Sequence, residues 1–438
     1  MKETMAMRLF SGGILTLVVT LFWSCASVQV SENVADYRGR LAELEATLRL
    51  DPANPDVLLE LGLIRFQVKQ FKEARVALEK TLSVAPGNPK ALYYLGMVLE
   101  EIGTTDEAIS IYANHSQFSF LSEYGRLMEG RYLTLTAENA RRQITDLVAQ
   151  EDKISPGEIV PELVAVYPFE YRGADKTYAP LRMGLAELMK RDLSQVKSVT
   201  LVERVRIQAI LDELRFGQSK FVDPATAPRV GRLLKAGRIV TGFFDVPEKT
   251  SFLLNVAYYD LPKGYLPNPR SKGDALENLF ALEKETVFDV LDQMGIVPTP
   301  VERQKIAERP TSSLAALLLF SQGMEGEVVG NYELAAQKFS QALQIDPNFT
   351  MAAEELHKAE VRAAAQTKQR ALISTYNFDP PVPSDSKRLI TRRQRTLGAE
   401  MQPESFPGED NREPPEEAAR AGAAVGDLPG PPDPPRPK

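Results

Sequence analysis

The sequence predicts a chain of mixed class, α/β plus all-α. In order it holds an N-terminal array of helical repeats, a central three-layer α/β domain with a mostly parallel sheet and one hairpin, one further helical repeat, and a disordered tail. Three observations predict this. A set of residues recurs with a period of 34 near the N-terminus, and its internal spacings return far downstream. Between Pro161 and Gly295 the apolar pattern changes to short strand-like runs alternating with helical ones. From Asp379 onward, thirteen of the 31 prolines fall in the last 60 residues.

Composition narrows the function. The chain has 438 residues, 43% of them hydrophobic and 25% charged, an ordinary balance for globular domains, and its length suggests several of them. A net charge of −7 provides no positive footprint for displacing counterions from phosphates, so no nucleic-acid partner is expected. One Cys rules out an internal disulfide framework and an all-Cys metal site, and two His leave little for acid–base chemistry. No catalytic residue, cofactor or metal is therefore expected.

The N-terminus reads MKETMAMRLFSGGILTLVVTLFWSC. Lys2 and Arg8 precede an apolar run from Ile14 to Trp23. That run is too short for a spanning helix, which needs about 20 residues, and has the pattern of a secretory signal. Ser24 then precedes the only cysteine, Cys25, an arrangement that resembles a bacterial lipobox. Residues 1–24 are expected to be a lipoprotein signal peptide and 25–37 a linker after a lipidated Cys25. A plain secretory signal with an incidental Cys is the alternative. By the same resemblance, Ala26 after the Cys points to the outer membrane, with the protein facing the periplasm.

The repeats follow, over an expected 38–152. Asn54 and Asn88, Pro55 and Pro89, Leu58 and Leu92, Leu61 and Leu95, Gly62 and Gly96, and Ala74 and Ala108 all lie 34 apart. Gly323, Ala335 and Pro347 repeat the internal spacings of Gly62, Ala74 and Pro86. The small residues mark places where two antiparallel helices pass closely, and Pro86 and Pro347 close second helices that they cannot continue. The pattern resembles the tetratricopeptide repeat, with units at about 55–88, 89–118 and 316–349. In that family the first helix of each pair lines the concave face. Here this maps to Leu59, Leu63, Phe66, Tyr93, Met97 and Glu100, which are unusually apolar for exposed positions. They are expected to bind a protein partner or to lie under a neighbouring element. A purely architectural array is the alternative.

The middle segment, expected over 158–296, contains ELVAVYPF, a helical stretch over YAPLRMGLAELMKRDLSQ, a strand at SVTLVER and a helix at VRIQAILDELRF. A helix opened by Asp223 and Pro224 comes next, then strands RIVTGFFDV and SFLLNVAYYDL as a hairpin, then a helix over about 275–294. Val166 and Val240 are predicted on neighbouring buried strands. In the second hairpin strand Phe252, Leu254, Val256 and Tyr258 share one face, while Leu253, Ala257 and Tyr259 share the other. Two apolar faces suit a helix-covered strand better than a barrel wall. The segment Pro262–Asp274, rich in Pro and Gly, is not predicted to form a strand. RVGRLLKAGR (Arg229–Arg238) is not a phosphate loop, because it lacks GxxxxGK[ST].

VAVYPFE, LVERVRIQAILDEL and FGQSKFVDPATAPRVGRLLKAGRIVTGFF, in this order, make residues 160–295 resemble the CsgG family of periplasmic lipoprotein domains. The name-giving member oligomerises into an outer-membrane channel that exports curli subunits. The resemblance implies the fold, a place in the envelope and a possible homo-oligomer. The reading is a non-enzymatic scaffold or assembly factor in envelope biogenesis or secretion, with protein partners and a membrane anchor at Cys25. The alternative is a CsgG-type export channel component. Residues 297–370 are expected to be a helical linker and the last repeat. Residues 371–438, with the basic stretch Ser386–Arg395 and the ending PGPPDPPRPK, are expected to be disordered, since no apolar periodicity survives to offset ordering entropy.

Overall fold

The computed structural model describes residues 37–151, 159–214, 227–264 and 269–375. The signal peptide, Cys25, Asp223, Pro224 and the tail beyond Thr375 lie outside them.

The chain begins with α1 (37–50), α2 (Pro55–Gln67), α3 (Phe71–Val84), α4 (Pro89–Ile102) and α5 (Thr105–Tyr112). The recurring Asn-Pro pairs are helix starts. Asn54 and Asn88 accept the backbone N–H of Val57 and Ala91, and the following prolines occupy the first helical turn, where no N–H is needed. The recurring glycines are crossings. A Cβ at Gly62 would lie 2.8 Å from Leu78 Cγ, and one at Gly96 would overlap the Tyr112 ring.

A long helix follows, α6 (Glu123–Ala149). Its first half packs on α4 through Leu127, Met128 and Leu135. Its second half places Ile144, Leu147 and Val148 against the α/β region.

The α/β region contains β1 (Val160–Val166), β2 (Glu170–Tyr171), α7 (Leu181–Leu193), β3 (Thr200–Leu201), α8 (Arg204–Glu213), α9 (Ala227–Leu233), β4 (Ala236–Asp245), β5 (Ser251–Asp260), β6 (Arg270–Ala275) and α10 (Leu279–Gln293). Its sheet runs β3-β1-β4-β5-β6, with β2 also paired to β4. β1 is parallel to both β3 and β4, and Val166 is the register partner of Val240. β4–β5 and β5–β6 are antiparallel, so the sheet is mixed. β6 corrects the expectation of no strand within Pro262–Asp274. Arg270–Ala275 carries the charges and Gly273 that suit an edge strand, and an apolar-pattern reading passes over them.

Both sheet faces are covered. Val164, Val166, Val240, Phe244, Phe252, Leu254, Val256 and Tyr258 join α7 and α10 on one face. Ala165, Tyr167, Ile239, Ala257 and Tyr259 join α6, α8 and α9 on the other. The hairpin strands β4 and β5 are thus interior strands between helical layers.

α11 (Pro300–Ala307) leads to α12 (Leu314–Val328) and α13 (Tyr332–Ile345), the downstream repeat, whose Gly323 crosses the Phe339 ring. Its core residues Leu317, Phe320, Phe339 and Phe349 are continuous with the first sheet face, so one core spans the expected boundary at 296. α14 (Thr350–Thr375) then runs back to the N-terminal array, extending past residue 370, where the helical unit was expected to end. The Glu123–Lys368 ion pair and the Glu129–His357 hydrogen bond order it antiparallel to α6. A Cβ at Gly130 would overlap the Val361 carbonyl and lie 2.8 Å from Ala365 Cβ, so the two long helices touch backbone to backbone.

Candidate partner-binding surface

The six expected groove residues do not share one environment. Leu59 and Leu63 are half-buried on α2. Phe66, Tyr93 and Met97 are buried in one cluster with Leu127 and Met128 of α6 and Ala365 of α14. Glu100 is half-buried and engaged. It accepts the Tyr112 hydroxyl at 2.7 Å and the Arg131 Nε at 3.0 Å, and Arg131 also donates to Gln369 at 2.8 Å. The open-groove expectation is therefore corrected at Phe66, Tyr93, Met97 and Glu100. Helix α6 covers the concave face of α4, and α14 secures α6 there. This is the burial under a neighbour that the apolar composition also allowed.

Beside these residues, an aromatic stripe that the sequence pattern did not single out remains partly reachable from solvent. Phe71, Tyr94 and Tyr124 are half-buried and belong to consecutive pairs of the array. Phe66 links them, with ring centroids 5.9 Å from Phe71 and 5.5 Å from Tyr94, and Tyr94 lies 6.4 Å from Tyr124. These spacings fit edge-to-face and tilted aromatic pairs. Burial raises the Tyr94 hydroxyl above its ordinary pKa and pushes that of Tyr124 up to about 12, so both act as neutral donors. The Tyr93 hydroxyl beneath them is buried without a hydrogen-bond partner among the described residues. The signal for the stripe was the doubled aromatic Tyr93-Tyr94, together with a Tyr in the first turn of α6.

A second polar cluster joins the α/β region to the last repeat. Arg204, the first residue of α8, reaches Glu327 of α12 at 2.5 Å, Glu355 of α14 at 3.6 Å and Glu187 of α7 at 3.7 Å. Arg362 adds a second cation to Glu327 at 3.4 Å. Glu203 and Arg206 lie on either side of this Arg204 ion-pair cluster. On α7 and α10, Lys284 binds the buried Asp192 and lies 3.4 Å from the buried Glu283. Among the described residues no group of three His, Cys, Asp or Glu could hold a metal ion, and no helix is long and apolar enough to cross a membrane.

Comparison with known proteins agrees with the repeat assignment. Residues 59–116 match the tetratricopeptide repeat family. No curated protein matches the chain. Among solved structures, a tetratricopeptide repeat protein from Parabacteroides merdae is similar at 14% identity over 75% of this chain and 94% of its own, with a TM-score of 0.22. The C-terminal domain of LpoB from Salmonella enterica is similar at 13% identity over 30% of this chain and 94% of its own, also with a TM-score of 0.22. At these scores neither likeness carries weight for function. Residues 59–116 of the N-terminal array are thus similar to tetratricopeptide repeats, and a mixed-sheet region separates that array from the downstream helix pair α12–α13.

Proposed function

We propose that the protein is a non-enzymatic scaffold of the bacterial cell envelope, anchored to the outer membrane by lipid on Cys25 and facing the periplasm, which holds protein partners on its repeats. The observation that carries this is the half-exposed stripe Phe71, Tyr94 and Tyr124, packed on the same cluster as Leu59, with Phe71 and Tyr94 inside residues 59–116, which match a repeat family whose general use is protein–protein contact. Aromatic side chains in such a stripe provide large contact area at low entropic cost, as binding hot spots do. The α/β region contributes a second rigid surface, and its ordered motifs support reading it as CsgG-like. A channel role would need strands free to face lipid, whereas β4 and β5 lie between helical layers.

The test is crosslinking and affinity capture from native envelopes. Tyr94→Ala with Tyr124→Ala should reduce capture of specific partners more than tenfold while the thermal midpoint shifts little. Cys25→Ala should abolish acyl labelling and release the protein from the outer-membrane fraction. Unchanged capture would remove the stripe from the proposal, and unchanged membrane association would remove the anchor.

A further inference from the structure

We infer that one edge of the N-terminal array, carrying Leu50, Val84, Phe120 and Leu121, rests in the surface of the bilayer. In an array of antiparallel helix pairs, α1, α3 and α5 all run in one direction, so their C-terminal ends share an edge. Leu50 ends α1, Val84 ends α3, and Phe120 and Leu121 lie in the connection from α5 to α6. Leu50 is 90% exposed, Leu121 78%, Phe120 76% and Val84 46%, so four large apolar side chains stand in water along this edge. Leu50 and Val84 are one repeat apart, so the feature recurs with the architecture.

The occupant follows from the spacing of these side chains and from the chain before α1. They protrude from three separate turns, Leu50 and Val84 singly and Phe120 with Leu121 as an adjacent pair. Spread over three turns, they do not form the contiguous complementary patch that a protein partner needs, whereas each can enter a bilayer surface and add its own buried apolar area. Arg49 and Lys80 are exposed and Lys90 half-exposed on the same edge, and none of the three has an ion-pair partner among the described residues. Asp51 and Asp56 offset most of that charge, while Glu79 and Glu123 are paired with Arg75 and Lys368. Apolar insertion rather than charge would therefore dominate.

Twelve chain steps separate Cys25 from Tyr37, a reach of at most about 40 Å. α1 has 14 residues and is about 21 Å long. A lipid on Cys25 can therefore lie level with the far edge of α1. The inference rests on the proposed anchor only for this reach.

The test places a tryptophan at the edge in the full, lipid-anchored chain, where it is the sole indole because Trp23 leaves with the signal peptide; in an unprocessed chain Trp23→Phe keeps it so. On phosphatidylethanolamine–phosphatidylglycerol vesicles, Leu121→Trp should shift its emission to the blue and be quenched by lipids brominated near the headgroup. Ile102→Trp, at the end of α4 on the opposite edge, should do neither. Quenching of both or of neither overturns the proposal. If Cys25 proves not to be acylated, the same pair is read on the unanchored chain with excess vesicles. Selective quenching at 121 then sustains the edge although the anchor has failed, and its absence removes both.

Discussion

Val361 lies across Gly130, 231 residues earlier in the chain, in the place that Leu78 takes over Gly62 and Tyr112 takes over Gly96. Gly62, Gly96 and Gly130 are 34 apart. Helix α6 is therefore the first helix of a third repeat whose second helix does not follow it. The chain leaves for the sheet instead, and α14 returns to fill the vacant position. The outgoing and returning helices tie the two repeat segments to the α/β region through packed helices.

Gly130→Leu should therefore separate α6 from α14. Its Cβ would meet backbone, which cannot turn aside as a side chain can. We expect a loss of about 3 kcal/mol or more of stability by denaturant titration, in line with overpacking at a rigid site. Hydrogen exchange should accelerate in α14 beyond Val361. A stable variant with α14 still protected would show that the third repeat does not depend on the returning helix.

Arg204→Met tests the joint at the other end of α14. It removes a cation from Glu327, whose side chain is 2% exposed, and from Glu355. Breaking such a pair from one side costs about 3 kcal/mol, because the remaining charge stays buried. Adding Glu327→Leu should recover part of the loss. If the double variant is no more stable than the single one, the pair is not what joins the two regions.

Much of this was legible in the residues, and the failures have particular causes. The Asn-Pro starts and the glycine crossings appear directly as a 34-residue period, and Val166 and Val240 proved to be register partners because both lie in unbroken apolar runs. Gly130 carried the same period, but no Ala or Pro followed at the expected distances, since its second helix lies elsewhere in the chain. Phe66, Tyr93 and Met97 read as groove because repeat position alone assigns the concave side. Only the fold reveals that a later helix occupies it. β6 was missed because an edge strand needs no apolar face.

Tyr93→Ala should now behave as a core truncation. Tyr93 is fully buried and touches Tyr94, Tyr112 and Tyr124. We expect about 3 kcal/mol of destabilisation, less whatever is recovered by removing its unpartnered hydroxyl. Leu63→Ala, half-exposed on the same face, should cost less than half as much. Equal effects would mean that α6 does not cover the face.

Val166→Asp should unfold the sheet region, since Val166 is 2% exposed beside Val240 and an unpaired carboxylate there has no compensating partner. The first sheet face is continuous with the last repeat, so α12 and α13 should melt with it, while α2–α4 retain helical signal. Limited proteolysis that releases the sheet region but leaves α12–α13 intact would contradict a shared core.

Glu283 gives the pH dependence. It is 1% exposed, and neither of its oxygens has a hydrogen-bond partner among the described residues. Burial first, and then the neighbouring Asp192 carboxylate, push it up from 4.5 to about 8, against the opposing pull of Lys284. Between those values the folded chain holds a proton that the unfolded chain has released. Raising the pH through this window therefore favours unfolding, and the neutral-acid contribution is complete only below about 4.5. Carboxylates with lowered values, such as Glu60, Glu151 and Glu302, act in the opposite sense but below 4.5, so they leave this window clear. Glu327 is also raised by burial and should leave a residual slope. Urea midpoints should thus fall from pH 5 to pH 8.5 in the wild-type chain. Glu283→Gln, which keeps the shape and removes the titration, should flatten most of that fall and raise the midpoint at pH 8.5. Parallel pH profiles for the two chains would mean that Glu283 does not titrate in the folded state as its burial requires.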